Sequence, residues 1–362
     1  MAGTSVNAYN AFRDCLDLSR VLAIEILPSD FPTLSPGEGS SPVILVDDSS
    51  IGVPKKVLVG AFITARQIVY RFLGSCPAMD NDDVLLATFV VLLFDPEHLT
   101  AANLRKRVLL EGRKVVEDGY RDQLMPQATK RELVAIETLL TSPLHRHTKS
   151  PNLWYHRRWV LRRWLTFNLR GEEISLRPDA DWLWQHVYRP ELLIIMKAGE
   201  QHPRNYYAWF HARWVIESFQ TGADRAALAS SLTDSMTLIL EWCLKHESDT
   251  SGWSFLLFLY NEANKGVELQ SLTAFNTEKV LCLALNFDWD LESIWVFLRT
   301  ALASPSFLPE QQRLALTRKI AEEVEGTKEG SIGHGRRRSV RFVKKALEWI
   351  RLYGADEDVA NH

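Results

Sequence analysis

Cysteine is scarce. Cys15, Cys76, Cys243 and Cys282 are the only four, and no two form a C-x-x-C. That excludes a disulfide framework of the small secreted kind and fits a reducing compartment. Long apolar runs are missing too. The longest, Val84–Phe94 (VLLATFVVLLF), falls well short of the ~20 residues that cross a bilayer, so it predicts a buried helix and no transmembrane segment. No charge sign dominates: 42 Lys and Arg against 45 Asp and Glu leave a formal net charge of −3, which offers no general attraction for nucleic acid or an anionic membrane. Phosphate-loop, dinucleotide, nucleophile-elbow and H-E-x-x-H motifs are all absent. The close donor pairs His145-x-His147 and Cys243-x-x-His246 complete no four-ligand set by spacing. Arg13 and Asp14 precede any sustained apolar stretch, and no prenylation box closes the chain. A soluble, cytoplasmic protein is expected.

What is abundant is tryptophan, and it is unevenly placed. All twelve lie between Trp154 and Trp349, with none in the first 153 residues. Helical periodicity dominates. Arg131–Leu140 and Ala226–Lys245 read as helices. Glu310–Gly326 sets Leu314, Leu316, Ile320 and Val324 on a helical spacing, and Ser339–Gly354 does the same with Phe342, Ala346, Trp349 and Tyr353. Pro32–Lys56, rich in Pro and Gly around a short Val43–Val46 run, reads as an extended surface loop. Thr327–Arg338 reads as a solvated linker. Its Arg336–Arg338 run beside Ser339 admits a phosphate or kinase-recognition patch as the less favoured reading. These features divide the chain into an N-terminal helical segment at 1–70 containing the 32–56 loop, a repeat region at 71–312, and C-terminal helices at 313–362 with the basic linker at 327–338.

The repeat region is organised by an internal repetition. Lys149–Leu161 (KSPNLWYHRRWVL) and Arg204–Ile216 (RNYYAWFHARWVI) each place His two, Arg four and Trp five residues after a first Trp. The anchors are Trp154 with Arg158, and Trp209 with Arg213. Weaker copies surround Trp253 and Trp295, and a degenerate one has Ala102 at the Trp position. Successive anchors are 52, 55, 44 and 42 residues apart, room for two antiparallel helices each and more than the ~34-residue tetratricopeptide period. Such hairpins bury their apolar faces only by stacking on neighbours, so the Trp and Arg positions are read first as inter-repeat packing. The basic, aromatic stretch His145–Arg163 could suggest RNA. Its recurrence at the next copy points instead to a structural repeat, and no nucleic-acid partner is expected.

These copies resemble the α-subunit repeat of protein prenyltransferases, whose pattern runs close to K-N-Y-x-x-W-x-x-R-[RQ]-W-[VL]. Arg204–Phe219 follows it almost throughout, and the resemblance covers about Pro96–Arg299. The variant at Ser150–Leu161 is similar in particular to the prenyltransferase α-subunit repeat-containing branch, which supplies the α-like subunit of type III geranylgeranyltransferase. The resemblance implies an all-α fold, a right-handed α-α superhelix (a crescent) of helical hairpins. It further implies a heterodimer with a β subunit, here of the Rab geranylgeranyltransferase type, that carries the catalytic zinc and the isoprenoid pocket. This chain itself is expected to bind no cofactor. Its substrates would be an isoprenoid diphosphate and a cysteine-ended protein. By carry-over, Lys149 and Tyr206 are the expected catalytic contributors, neutralising charge on the departing diphosphate. Asn205 and Arg204 are expected at the substrate. The sequence departs from the pattern at Ser150 and Pro151, where the family has Asn and Tyr; at Arg204, where it has Lys; and at Leu256 and Leu298, where it has Arg. The alternative is a non-enzymatic helical-repeat adaptor that keeps the fold without catalytic contribution.

Overall fold

Apolar residues recurring at three and four positions dictate helices through most of the chain, and the computed structural model contains them. It describes residues 2–16, 19–28, 31, 44–74, 80–114, 127–169, 179–221, 223–265, 269–326 and 334–354. Two units are formed, Met1–Arg177 with Lys197–His211, and Pro178–Met196 with Ala212–His362. The fold is an all-α helical repeat with one small sheet.

In the first unit, helices α1 (Ala2–Cys15), α2 (Lys55–Leu73) and α3 (Asn81–Phe94) pack side by side. At Gly60 the α1 and α2 backbones approach so closely that an added Cβ would lie 3.2 Å from the Ala8 methyl carbon. Helix α3 is the long apolar run. Asp80 caps it by accepting from the Asp82 amide, and Val84 through Leu93 are largely buried, as expected of an apolar segment too short for a bilayer.

The sheet corrects the expected 32–56 loop. Residues 32–43 lie outside the described residues, but 44–56 are ordered secondary structure. Strands β1 (Ala23–Leu27), β2 (Leu45–Asp47) and β3 (Ser50–Pro54) pair in the order β1-β3-β2, with β1 parallel and β2 antiparallel to β3. Alternation is the reason: Ile51 and Val53 turn inward with Ile24, and Ser50 outward. Helix α5 (Gln127–Thr141) meets the β1 edge, where the Leu22 and Ile24 amides donate to Thr138 Oγ1 and Ser142 Oγ at 3.1 and 2.9 Å. Those hydroxyls satisfy amides that a bare edge would leave open.

The repeat is realised as helix pairs. The anchor positions 102, 154, 209, 253 and 295 fall on α4 (Leu99–Lys114), α7 (Pro151–Leu169), α10 (Tyr206–Gln220), α12 (Thr250–Ala263) and α14 (Glu292–Ala303). A short helix, α6 (His145–Thr148), precedes α7. Between α7 and α10 run α8 (Ala180–Leu183), a π-helical turn (Trp184–Tyr188) and α9 (Arg189–Gln201). Helices α11 (Arg225–Lys245), α13 (Gln270–Asn286) and α15 (Glu310–Gly326) complete the later pairs, and α16 (His334–Tyr353) packs on α14 and α15.

A recurring clamp fixes the anchors. Indole Nε1 donates to the carbonyl six residues earlier in three copies: Trp154 to Thr148, Trp253 to Glu247 and Trp295 to Trp289, at 2.8, 2.9 and 2.8 Å. The residue four before the Trp caps the helix. Ser150 Oγ, Asn205 Oδ1 and Asp249 Oδ1 accept from the amides of Leu153, Ala208 and Gly252. Polar side chains of one copy then reach the preceding copy's carbonyl: Asn152 to Pro96, Asn205 to Thr148 and Ser293 to Glu247.

Two further expectations shift. Residues 334–338, read as linker, are helical backbone at the start of α16, while 327–333 lie outside the described residues. The buried face of α16 is Val340, Val343, Ala346, Leu347 and Ile350; of the expected face only Ala346 is buried. Trp349 instead lies under the Arg299 guanidinium, 4.4 Å from it, and against Tyr353. On α15, Leu314 is exposed while Leu316 and Ile320 are buried.

Candidate functional site

Lys149 ends α6 and Tyr206 opens α10. The two stretches are tied together, because the Thr148 carbonyl accepts Trp154 Nε1 at 2.8 Å and Asn205 Nδ2 at 2.7 Å. The residues just before Lys149 and Tyr206 are therefore directly hydrogen-bonded. Lys149 is half-buried. Close by, the His145 and His202 rings meet edge to face, centroids 4.8 Å apart. Burial, and then the charges of His145 and Lys149, hold the His202 imidazole below its ordinary range. Lys149 is the cation of this edge.

Tyr206 is two-thirds exposed, at 66%. Its ring lies nearly parallel to Phe210 (centroids 6.2 Å apart, 9° between planes) and edge-on to Tyr207 at 5.6 Å. The Arg158 guanidinium sits 4.9 Å from the Phe210 centroid and 5.6 Å from that of Tyr155, and donates to the Phe210 carbonyl at 3.3 Å. Tyr155, Arg158, Phe210, Tyr206 and Tyr207 thus form an exposed aromatic and cationic face. Such a face beside cations suits a ligand with an anionic head and an apolar body.

Asn205, expected at the substrate, is completely buried, with its amide oxygen capping α10 and its nitrogen on Thr148. A cap residue four before the Trp is what the helix start requires, and that requirement takes up its polar atoms. Arg204 is exposed and adopts a left-handed φ of 58°, a conformation sparsely used outside glycine and asparagine. Its backbone turn delivers Asn205 to the cap. The repeat positions fall as expected: Trp154, Trp209, Trp253 and Trp295 are buried. Arg158 and Arg213 reach forward to the next copy, Arg213 donating to Ser254 Oγ at 3.0 Å and lying 5.3 Å from the Phe258 centroid.

The two donor pairs are used otherwise. His147 is buried and donates Nε2–H to the carbonyls of Leu92 and Leu93 at 3.1 and 2.9 Å, while burial pushes its pKa down to about 4. Cys243 is buried with its thiol raised, and His246 stacks on Trp242. Among the described residues no group of three or more His, Cys, Asp and Glu is placed to hold a metal ion.

Sequence reasoning missed a buried ionic cluster. Arg105 grips Glu132 with two bonds of 2.8 and 2.7 Å and donates to Thr88 Oγ1 at 2.9 Å. His156 donates to the same carboxylate at 2.6 Å, and Arg157 to the Leu133 carbonyl at 2.9 Å. Burial alone would raise the Glu132 pKa, but Arg105 and His156 outweigh it and hold the group down to about 2. Burial holds the His156 pKa below its ordinary range, against the pull of Glu132. The available signal was an Arg three after the anchor, at 105 and 157. Also missed were Tyr155 and Phe210, which both directly follow an anchor Trp.

Residues 158–282 match the family model described as the ECM9 middle domain. Curated relatives include protein prenyltransferase alpha subunit repeat-containing protein 1-A of Xenopus laevis, 27% identical over 225 residues (60% of this chain, 46% of the relative). The human protein prenyltransferase alpha subunit repeat-containing protein 1 is 26% identical over 230 residues, 60% of this chain and 50% of the relative. Protein ECM9 of Saccharomyces cerevisiae is 23% identical over 205 residues, 57% and 47% respectively. The chain spans about half the length of the curated relatives it matches. The resemblance carried by the repeat motifs therefore holds: this chain is similar to the protein prenyltransferase α-subunit repeat-containing proteins.

Proposed function

We propose that this chain is the α-type subunit of a heterodimeric, cytoplasmic protein prenyltransferase that transfers a geranylgeranyl group to a cysteine near a protein's C-terminus. The observation that carries this reading is the Thr148–Asn205 hydrogen bond, which joins the stretch ending in the Lys149 cation to the aromatic face of Tyr206. In the reaction a cysteine thiolate forms a C–S bond to the first prenyl carbon as the C–O bond to diphosphate breaks. Zinc on the partner β subunit would supply the thiolate at neutral pH. The Lys149 ammonium and the Tyr206 hydroxyl would donate to the diphosphate oxygens as charge builds on them. Tyr206, Phe210, Tyr155 and Arg158 would line the approach of the apolar chain, and Arg204 would add a cation at its mouth. Acceptors already carrying one lipid are the class that the type III resemblance implies.

A helical-repeat adaptor is the second reading, favoured by Asn205, whose amide is committed to the backbone rather than open to a ligand. The deciding experiment is co-purification with a Rab-type geranylgeranyltransferase β subunit. The complex is then assayed for zinc-dependent transfer of labelled geranylgeranyl to a cysteine-ended protein, with Lys149→Ala and Tyr206→Phe alongside. The catalytic reading expects a stable complex whose turnover falls about tenfold or more with Lys149→Ala, the size of one lost charge-assisted contact. An active complex indifferent to both changes leaves the chain a scaffold, and no complex leaves the adaptor.

A further inference from the structure

Helix α2 buries Val57, Leu58, Ala61, Ala65 and Val69 against its neighbours. A second apolar set on the same helix is covered by nothing described: Val59, Ile63, Tyr70 and Leu73 are all exposed. With Arg66 they succeed one another at alternating steps of four and three residues. That is the 3.5-residue period of a helix–helix seam, one side chain wide at each level. A helix lying in a membrane surface buries a broader apolar face than this. The stripe covers about four turns, roughly 21 Å at ~1.5 Å per residue.

Charge selects the occupant. Helix α2 carries Lys55, Lys56, Arg66 and Arg71 and no acidic residue. Arg66 sits in the middle of the stripe, its guanidinium 5.2 Å from the Tyr70 centroid and 3.4 Å from the Tyr70 hydroxyl. Exposed Lys56 stands three residues before Val59, in the same seam. Two copies of this helix would bring cations together with no acid on either side, which disfavours self-pairing. We propose that the α2 stripe docks an amphipathic helix of a partner protein that presents aliphatic residues at heptad spacing and Asp or Glu opposite Arg66 and Lys56. The inference is independent of the prenyl-transfer reading, since α2 lies apart in sequence from Lys149 and Tyr206.

The test uses the full chain and two fluorescent helical peptides with Leu at the seam positions. One carries Glu, the other Lys, at the two places that meet Arg66 and Lys56, and binding is read by anisotropy. Phosphatidylserine–phosphatidylcholine vesicles serve as a third probe, and light scattering reports the oligomeric state. The expected result is binding of the Glu peptide at least tenfold tighter than the Lys peptide. Ile63→Asp should weaken it at least tenfold with an unchanged helical circular-dichroism spectrum, and Arg66→Glu should invert the preference. Equal affinity for both peptides, or none for either, overturns the proposal. So does vesicle binding, or a dimer, that Ile63→Asp abolishes while the peptides fail to bind.

Discussion

Each unit is built from the same helix-pair repeat, but the two fill it with opposite chemistry. Three residues after the anchor, the first unit carries Arg105 and Arg157, gathered with Glu132 and His156 into a dry ionic cluster. At the same position the second unit carries Leu256 and Leu298, both completely buried, on helices whose Trp253 and Tyr260 rings meet Phe297. What the units share is the clamp, complete around Trp154 in the first and around Trp253 in the second: a capping residue, a buried Trp and an indole bond to the carbonyl six residues back. The scaffold therefore depends on the helix start, while the core position tolerates either hydrocarbon or charge. The two fillings fail in different ways, because a desolvated charge depends on its partner and a leucine only on volume.

The sharpest way to break this comparison is an isosteric change in each core. Glu132→Gln preserves shape but leaves Arg105 a buried cation without its counter-ion, and should cost about 3–5 kcal/mol. Leu256→Met should cost less than about 1.5 kcal/mol. Hydrogen exchange, followed on peptides from each unit, reads the two separately. Equal costs would mean that the ionic core is held by packing alone.

Acid should separate the units next. The folded His147 pKa is depressed from 6.5 to about 4, so its contribution is present above pH 6.5 and is lost as pH falls towards 4. At about 1.4 kcal/mol per pKa unit this amounts to roughly 3.5 kcal/mol at most in the first unit. Glu132, depressed from 4.5 to about 2, adds a loss below pH 4.5. Alkali acts on both units, since burial also raises Cys15 and Tyr9 in the first, but more strongly on the second. Burial raises the pKa of Cys243 and Tyr260, so their contribution is present below about pH 9 and is lost above it. Exchange protection measured from pH 7 down to 4 and up to 10 should fade first in the first unit on the acid side and in the second on the alkaline side. Loss in step on both sides would contradict the assignment.

The smallest expected effect tests what the copies have in common. Trp253→Phe removes the indole donor to the Glu247 carbonyl, and Asn205→Ala removes both a cap and a donor to Thr148. Each should destabilise its own unit by about 1–2 kcal/mol, the size of a buried hydrogen bond or a lost cap. Denaturant midpoints compared with wild type check this. A negligible change at Trp253 alone would show that the clamp differs between the units.

Much of this was legible in the residues. The anchor spacing placed the helix pairs, because steps of 42 to 55 residues leave room for two helices each and a recurring Trp demands a similar buried environment. The α3 helix followed from an apolar run too short for a membrane. The sheet escaped notice because Ser50–Pro54 alternates over only five residues among turn formers. The α16 face is hidden in the sequence because aromatic residues suggest an inward face, whereas Trp349 stays exposed beneath Arg299. The proposed site is half legible in the sequence. Lys149 and Tyr206 came from the motif, but Tyr155 and Phe210 look like ordinary variable positions until Arg158 is seen between them.

By itself the sequence determined the all-α repeat, since local periodicity and the helix-start residues that recur at Ser150, Asn205 and Asp249 are short-range properties. Only the tertiary structure decided that Glu132 belongs with Arg105, 27 residues away, and that Asn205 is consumed by the backbone. It also decided that α2 keeps a second apolar stripe uncovered. These depend on which faces meet and which are left over, and pairing between distant segments leaves no periodic mark in the chain.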